Sequence, residues 1–73
     1  MMPPLQPVRR SSNVAATAHD PKTNTMYVQF HSGSVYSYPN RTAKEHEMLR
    51  AATSVGKHLN AFHASRGDAE RIS

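Results

Sequence analysis

Residues 25–38 read Thr25-Met-Tyr-Val-Gln-Phe-His-Ser-Gly-Ser-Val-Tyr-Ser-Tyr38, "TMYVQFHSGSVYSY", and this stretch decides the fold. Met26, Val28 and Phe30 alternate with Tyr27 and Gln29, the period-two pattern of a strand buried on one face. Val35-Tyr-Ser-Tyr38 alternates again, with Tyr36 and Tyr38 on one side. Between them lies His31-Ser-Gly-Ser34, where Gly33 is free to take positive φ. The pattern predicts an antiparallel hairpin, ended by Pro39-Asn40.

Upstream, Asn13-Val-Ala-Ala-Thr-Ala-His19 alternates weakly, which places Val14, Ala16 and Ala18 on one side of a third strand. Asp20-Pro-Lys-Thr-Asn24 reads as the turn joining it to the hairpin. Downstream, Thr42-Ala-Lys-Glu45 is a capping box, in which hydroxyl and carboxylate each satisfy a backbone N–H at a helix start. Apolar residues then recur at 48, 52, 55, 59 and 62, steps of three and four that trace a helical stripe. Thr53, Ser54 and Gly56 interrupt it with poor helix formers, and Ser54 suits an N-cap. Two helices are expected, over 42–52 and 54–63, with Gly56 in the first turn of the second, where a close neighbour can approach. The expected fold is α+β: a three-stranded antiparallel sheet with both helices on one face. Met26, Val28, Phe30, Tyr36 and Tyr38 should meet Met48, Leu49, Ala52, Val55, Leu59 and Phe62. Residues 1–8, with three prolines, are expected to be a disordered arm, 9–63 the domain, and 64–73 a flexible polar tail.

The chain of 73 residues allows one small domain. It has no cysteine, which excludes disulfides and thiolate zinc sites. No apolar run is long enough to span a bilayer, and residues 1–7 lack the apolar core of a secretion signal. Nine Lys and Arg against five Asp and Glu give a net charge of +4, which favours anionic partners as well as solubility.

Chemistry-bearing patterns are sparse. His46-Glu-x-x-Arg50 carries arginine where a zincin has its second histidine, and His58 and His63 do not share a helix face. Ser54 and His58 stand at i and i+4, but no carboxylate nearby would orient the histidine. Ser54-Val-Gly-Lys57 lacks the first glycine and the following hydroxyl of a phosphate loop, although a helix start with Gly56 and Lys57 suits an anion. Arg66-Gly-Asp68 spells an adhesion tripeptide, taken as chance. No cofactor or metal is expected. Arg9, Arg10, Arg41, Lys44, Arg50 and Lys57 are candidates for a basic patch. Tyr27 alone faces away from Met26 and Phe30, too few rings for stacking on single-stranded nucleic acid.

Arg10-Ser-Ser12, His19-Asp20, Met26-x-Val-x-Phe30, Gly33, Val35-Tyr-x-Tyr38 and Leu49-x-x-Ala-x-Ser-Val-Gly-Lys-His-Leu-Asn60 together resemble the KTSC domain. This short module takes its name from the C-terminal extension of some lysyl-tRNA synthetases. His19 and His58 stand at positions where that family commonly has an aromatic residue. At this length the chain also resembles a phage host-takeover regulator of the same family that binds bacterial RNA polymerase. The resemblance implies a non-catalytic, monomeric transcription regulator in the cytoplasm of a bacterial host. It would contact a segment of a large polymerase subunit and inhibit initiation, promote antitermination, or both. The expected partner-binding residues are Arg9, Arg10, Ser11, Ser12, Arg41, Lys44, Arg50, Lys57 and His58. Direct RNA or DNA binding without polymerase is the competing expectation.

Overall fold

The computed structural model describes residues 2–9 and 11–73. In chain order the elements are β1 (Gln6–Pro7), β2 (Val14–Asp20), β3 (Thr25–Phe30), β4 (Val35–Tyr38), α1 (Ala43–Ala51), α2 (Val55–Phe62) and β5 (Glu70–Arg71), with a 3₁₀ turn over Ala64–Arg66. The strands form one antiparallel sheet in the order β1-β2-β3-β4-β5. The α+β class, the hairpin and both helices stand as expected from the sequence. The strand count is corrected from three to five.

The two added strands come from the segments expected to be disordered arm and flexible tail. Gln6 and Pro7 pair with Thr17 and Ala16, and the Val8 N–H donates to Ala15 O at 2.9 Å. Glu70 and Arg71 pair with Ser37 and Tyr36, and the Ile72 N–H donates to Val35 O at 2.8 Å. Neither segment has a buried alternating pattern, since all four strand residues are exposed. Backbone pairing and a few side-chain anchors hold them, so hydrophobic periodicity carries no trace of them.

β2 departs from the expected alternation. The register shifts between Val14 and Ala16, a bulge that sets one extra residue into the strand. Val14 lies opposite Phe30, Thr17 opposite Val28 and His19 opposite Met26, so these side chains share the helix-facing side of the sheet. Ala16 and Ala18 lie opposite Gln29 and Tyr27 on the other face, which corrects the expected grouping of Val14 with both alanines. The bulge thereby turns two polar side chains toward α1. Thr17 is fully buried and bonds His46 Nε2 at 2.8 Å, and His19 Nε2 meets Arg41 O at 2.7 Å.

The core comprises Val14, Met26, Val28, Tyr38, Leu49, Val55 and Leu59, with Val8, Phe30, Tyr36 and Ala69 packed around it. Phe30 and Tyr36 meet edge to face at 5.6 Å between ring centroids. The capping box opens α1: Thr42 Oγ1 accepts from the Glu45 N–H and Glu45 Oε1 accepts from the Thr42 N–H. After Ala51 the backbone extends at Ala52 (ψ 143°) and Ser54 (ψ 101°), then re-enters the helix. That break divides the apolar stripe. Leu49, Val55 and Leu59 point inward, whereas Met48 and Phe62 are 53% and 58% exposed, not part of the core as expected. No helix among the described residues is long and apolar enough to cross a membrane.

Candidate functional site

Two concavities flank α2. The larger, about 330 Å³, lies where the loop before β2 meets the start of α2. Ser11, Ser12 and Asn13 form one wall; Thr53, Ser54, Gly56, Lys57 and Asn60 form the other. The loop wall is fixed locally: Ser11 Oγ accepts from the Val14 N–H at 2.9 Å, and Ser11 O and Asn13 O bind the ring and backbone N–H of His31. Ser54 occupies the N-cap position of α2 but makes no side-chain capping bond, unlike the cap its residue type suggested. The helix start therefore opens on a polar cleft with Lys57 in its first turn, a setting that favours negative charge.

Gly56 permits the close approach across this cleft. A Cβ built there would stand 3.2 Å from Asn13 Nδ2, with no backbone atom among its near neighbours. Asn13 is exposed and can shift by a few tenths of an ångström. The helix preference for alanine over glycine, about 0.5–1 kcal/mol, therefore prevails over the crowding. Gly56→Ala is expected to stabilise the fold by about 0.5 kcal/mol, read by urea unfolding. A loss of stability would show that Asn13 is rigidly held.

The smaller concavity, about 130 Å³, is an apolar notch between α1 and α2, lined by Glu45, Met48, His58, Phe62, His63 and Arg66. The His58 and Phe62 rings lie 4.6 Å apart, and Glu45 pairs with Arg66 at 2.8 Å across the rim. Glu45 Oε1 is already engaged at the α1 cap and Oε2 takes Arg66, so its charge is locally answered. The Thr42 backbone bond, with Arg66, holds its carboxyl below the usual range. Ser54 lies in the polar cleft and His58 in the notch, so the two are not brought together as a nucleophile–base pair.

The expected partner-binding residues separate into distinct environments. Ser11, Ser12 and Lys57 line the polar cleft, and His58 lines the notch. Arg9 and Lys44 are exposed, and Arg10 lies outside the described residues. Arg50 is exposed but engaged: its guanidinium donates to Gln6 O, Pro7 O and Thr17 Oγ1 at 2.8–3.1 Å, fastening β1 to α1. Those carbonyls are thus engaged within the fold.

Arg41 is a correction: it is not a surface contact but fully buried. Its Nη1 and Nη2 form a bidentate pair with Asp68 at 2.8 and 3.0 Å. Its Nε–H donates to His63 Nδ1 at 2.8 Å, and further N–H groups reach Pro39 O and His63 O. Asp68, read as part of a chance tripeptide, is the acid that neutralises the core, and the Arg41 bonds hold its carboxyl below the usual range. Asn13, Asn60, Met48 and Phe62 were missed as surface elements. The last two carried a signal, the helix-poor Thr53-Ser54 that breaks the stripe.

Comparison with known proteins places this arrangement. The KTSC domain profile matches residues 10–66. A crystal structure of a KTSC domain protein from Yersinia pestis superposes with a TM-score of 0.82, at 24% identity, over 96% of this chain and 97% of that one. No curated protein matches. The profile spans the sheet from β2 through β4, both helices and the 3₁₀ turn, and the structural likeness extends the shared fold over nearly the whole chain, so the chain belongs to the KTSC domain family.

Proposed function

We propose that this chain is a non-catalytic transcription regulator, phage-encoded and acting in the cytoplasm of a bacterial host, that docks on RNA polymerase through its α1–α2 face. The observation that supports it is the pairing of Met48 and Phe62, both more than half exposed, around one apolar notch. Large apolar side chains grouped at a concave surface suit a protein partner. Exposed Lys44, one helical turn before Met48 on α1, adds positive charge beside the notch, which suits an acidic or mixed segment of the enzyme. The choice of polymerase rests on the sequence resemblance to a phage regulator of this family. The open sheet face offers Tyr27 as its aromatic ring, which favours a protein partner over single-stranded nucleic acid.

Purified bacterial RNA polymerase, treated with nuclease, should be retained by the immobilised chain. Met48→Glu combined with Phe62→Glu should weaken that retention at least tenfold, because each lost apolar contact is worth roughly 1.5–3 kcal/mol when buried. Both positions are exposed, so thermal unfolding should stay close to that of the parent. Absence of polymerase after nuclease, with nucleic acid bound directly in a steeply salt-dependent way, would replace this reading with the nucleic-acid one.

A further inference from the structure

The segment after α2 is held by one buried side chain from elsewhere in the chain. Arg41, in the loop between β4 and α1, binds His63 at the end of α2 and Asp68 just before β5. Beyond Asp68, Ile72 and Ser73 bond the backbone of Val35 and complete the edge of the sheet. The bond between Arg41 and His63 has one possible polarity. Arg41 Nε has only a hydrogen to give, so His63 Nδ1 must carry a lone pair. A protonated His63 has no lone pair, and it would set a second cation against a fully buried guanidinium.

We infer that Arg41, His63 and Asp68 form an acid-sensitive latch, which holds residues 64–73 on β4 while His63 is neutral and releases them when it is protonated. This inference is independent of any polymerase contact.

The groups around His63 support it. Arg41 faces it from the loop before α1, Arg66 from the 3₁₀ turn, Glu45 from α1, His58 from α2 and Tyr38 from β4. Burial first, then Arg41 and Arg66, hold the His63 imidazole below its ordinary value, against a weaker opposing pull from Glu45. Asp68 and Glu45 are both held below the usual carboxylate range, so they stay ionised while the histidine titrates. The latched state binds fewer protons than the released state, in which His63 regains a pKa of about 6.5. The hold is therefore complete above about pH 6.5 and weakens as pH falls below it, until the latched pKa is passed. For one such group the released fraction rises between pH 7.5 and 5.5, by at most about tenfold.

His46 is the histidine to separate from this effect. Burial, Arg50 and His19 hold it low as well, but its ring bonds Thr17 of β2, so its protonation loosens α1 and not the tail. Hydrogen exchange followed by NMR on the full chain distinguishes the two. After correction for intrinsic rates, the Ile72 N–H and the Arg41 Nε–H should exchange faster at pH 5.5 than at pH 7.5, by up to about tenfold, while β2–β3 amides hold their protection. His63→Gln, which keeps an acceptor that does not titrate, should abolish that response; His46→Gln should leave it. If the glutamine variant fails to fold, ring titration of His63 in the parent decides the matter. Its midpoint should lie below 6.5 and coincide with shifts at Ile72. An unresponsive Ile72, or β2–β3 exchange rising in step with it, overturns the latch.

Discussion

Arg41→Ala is expected to lose about 2–5 kcal/mol of stability in urea unfolding, the range for truncating a large buried side chain to alanine. A chain of 73 residues has only about 4–11 kcal/mol in total, so the variant should be largely unfolded at modest temperature. The loss has several sources. The side chain is the largest fully buried one, so truncation opens a cavity beside Tyr38, whose ring lies 5.6 Å from the guanidinium. His63 Nδ1 and Pro39 O lose the Arg41 donor, His63 O keeps only the Arg66 N–H, and Asp68 loses its cation. Arg41→Lys should recover little, because an ammonium cannot reproduce the planar fork that meets both carboxylate oxygens and the imidazole together. Arg41→Met should recover more, since it refills part of the volume without a buried charge. A loss below about 1 kcal/mol for the alanine variant would mean that the cluster is not the anchor of the C-terminal segment.

Leu49→Ala is expected to lose about 2–5 kcal/mol, whereas the neighbouring Met48→Ala should change stability by no more than about 0.5 kcal/mol. Leu49 is fully buried and is the one residue by which α1 enters the core. Met48 stands one position, or about 100° of helix rotation, away and is more than half exposed. Thermal unfolding of the two variants side by side is the check. Comparable losses, or the reverse order, would mean that α1 is rotated from the orientation described above and that Met48 belongs to the core. The same comparison bears on the docking face, because a Met48 that does not support the fold is available to a partner.

The elements legible in the sequence share a physical character: their information is local. Met26-x-Val28-x-Phe30 repeats with the period of a pleated strand, and Gly33 takes φ 98° in the turn that the hairpin needs. Thr42 and Glu45 satisfy each other's backbone N–H groups within one helical turn, so the start of α1 is written in four residues. The break between the helices was equally local, in Thr53 and Ser54. What that break does to the stripe was not local. Spacing alone joined Met48 to Phe62 through the inner residues, but the extended backbone between α1 and α2 resets the helical phase and leaves both ends in solvent. For the candidate site, Ser11, Ser12 and Lys57 were legible as polar surface. That loop and helix start meet as one cleft depends on β2 carrying its preceding loop up to Gly56.

The sequence by itself determined the antiparallel hairpin, the two helix starts and the alternation of a half-buried sheet, because each follows from rules acting over a few neighbouring residues. Only the tertiary structure decided that β2 bulges at Ala15 and turns Thr17 and His19 inward, that Gln6–Pro7 and Glu70–Arg71 close the sheet, and that Arg41 is a buried anchor instead of a surface charge. Each of those outcomes depends on a partner distant in the chain, as Asp68 is from Arg41 and Arg50 from Pro7. A charged or polar side chain looks the same in sequence whether water or a remote carboxylate will satisfy it, and only the assembled fold supplies the carboxylate.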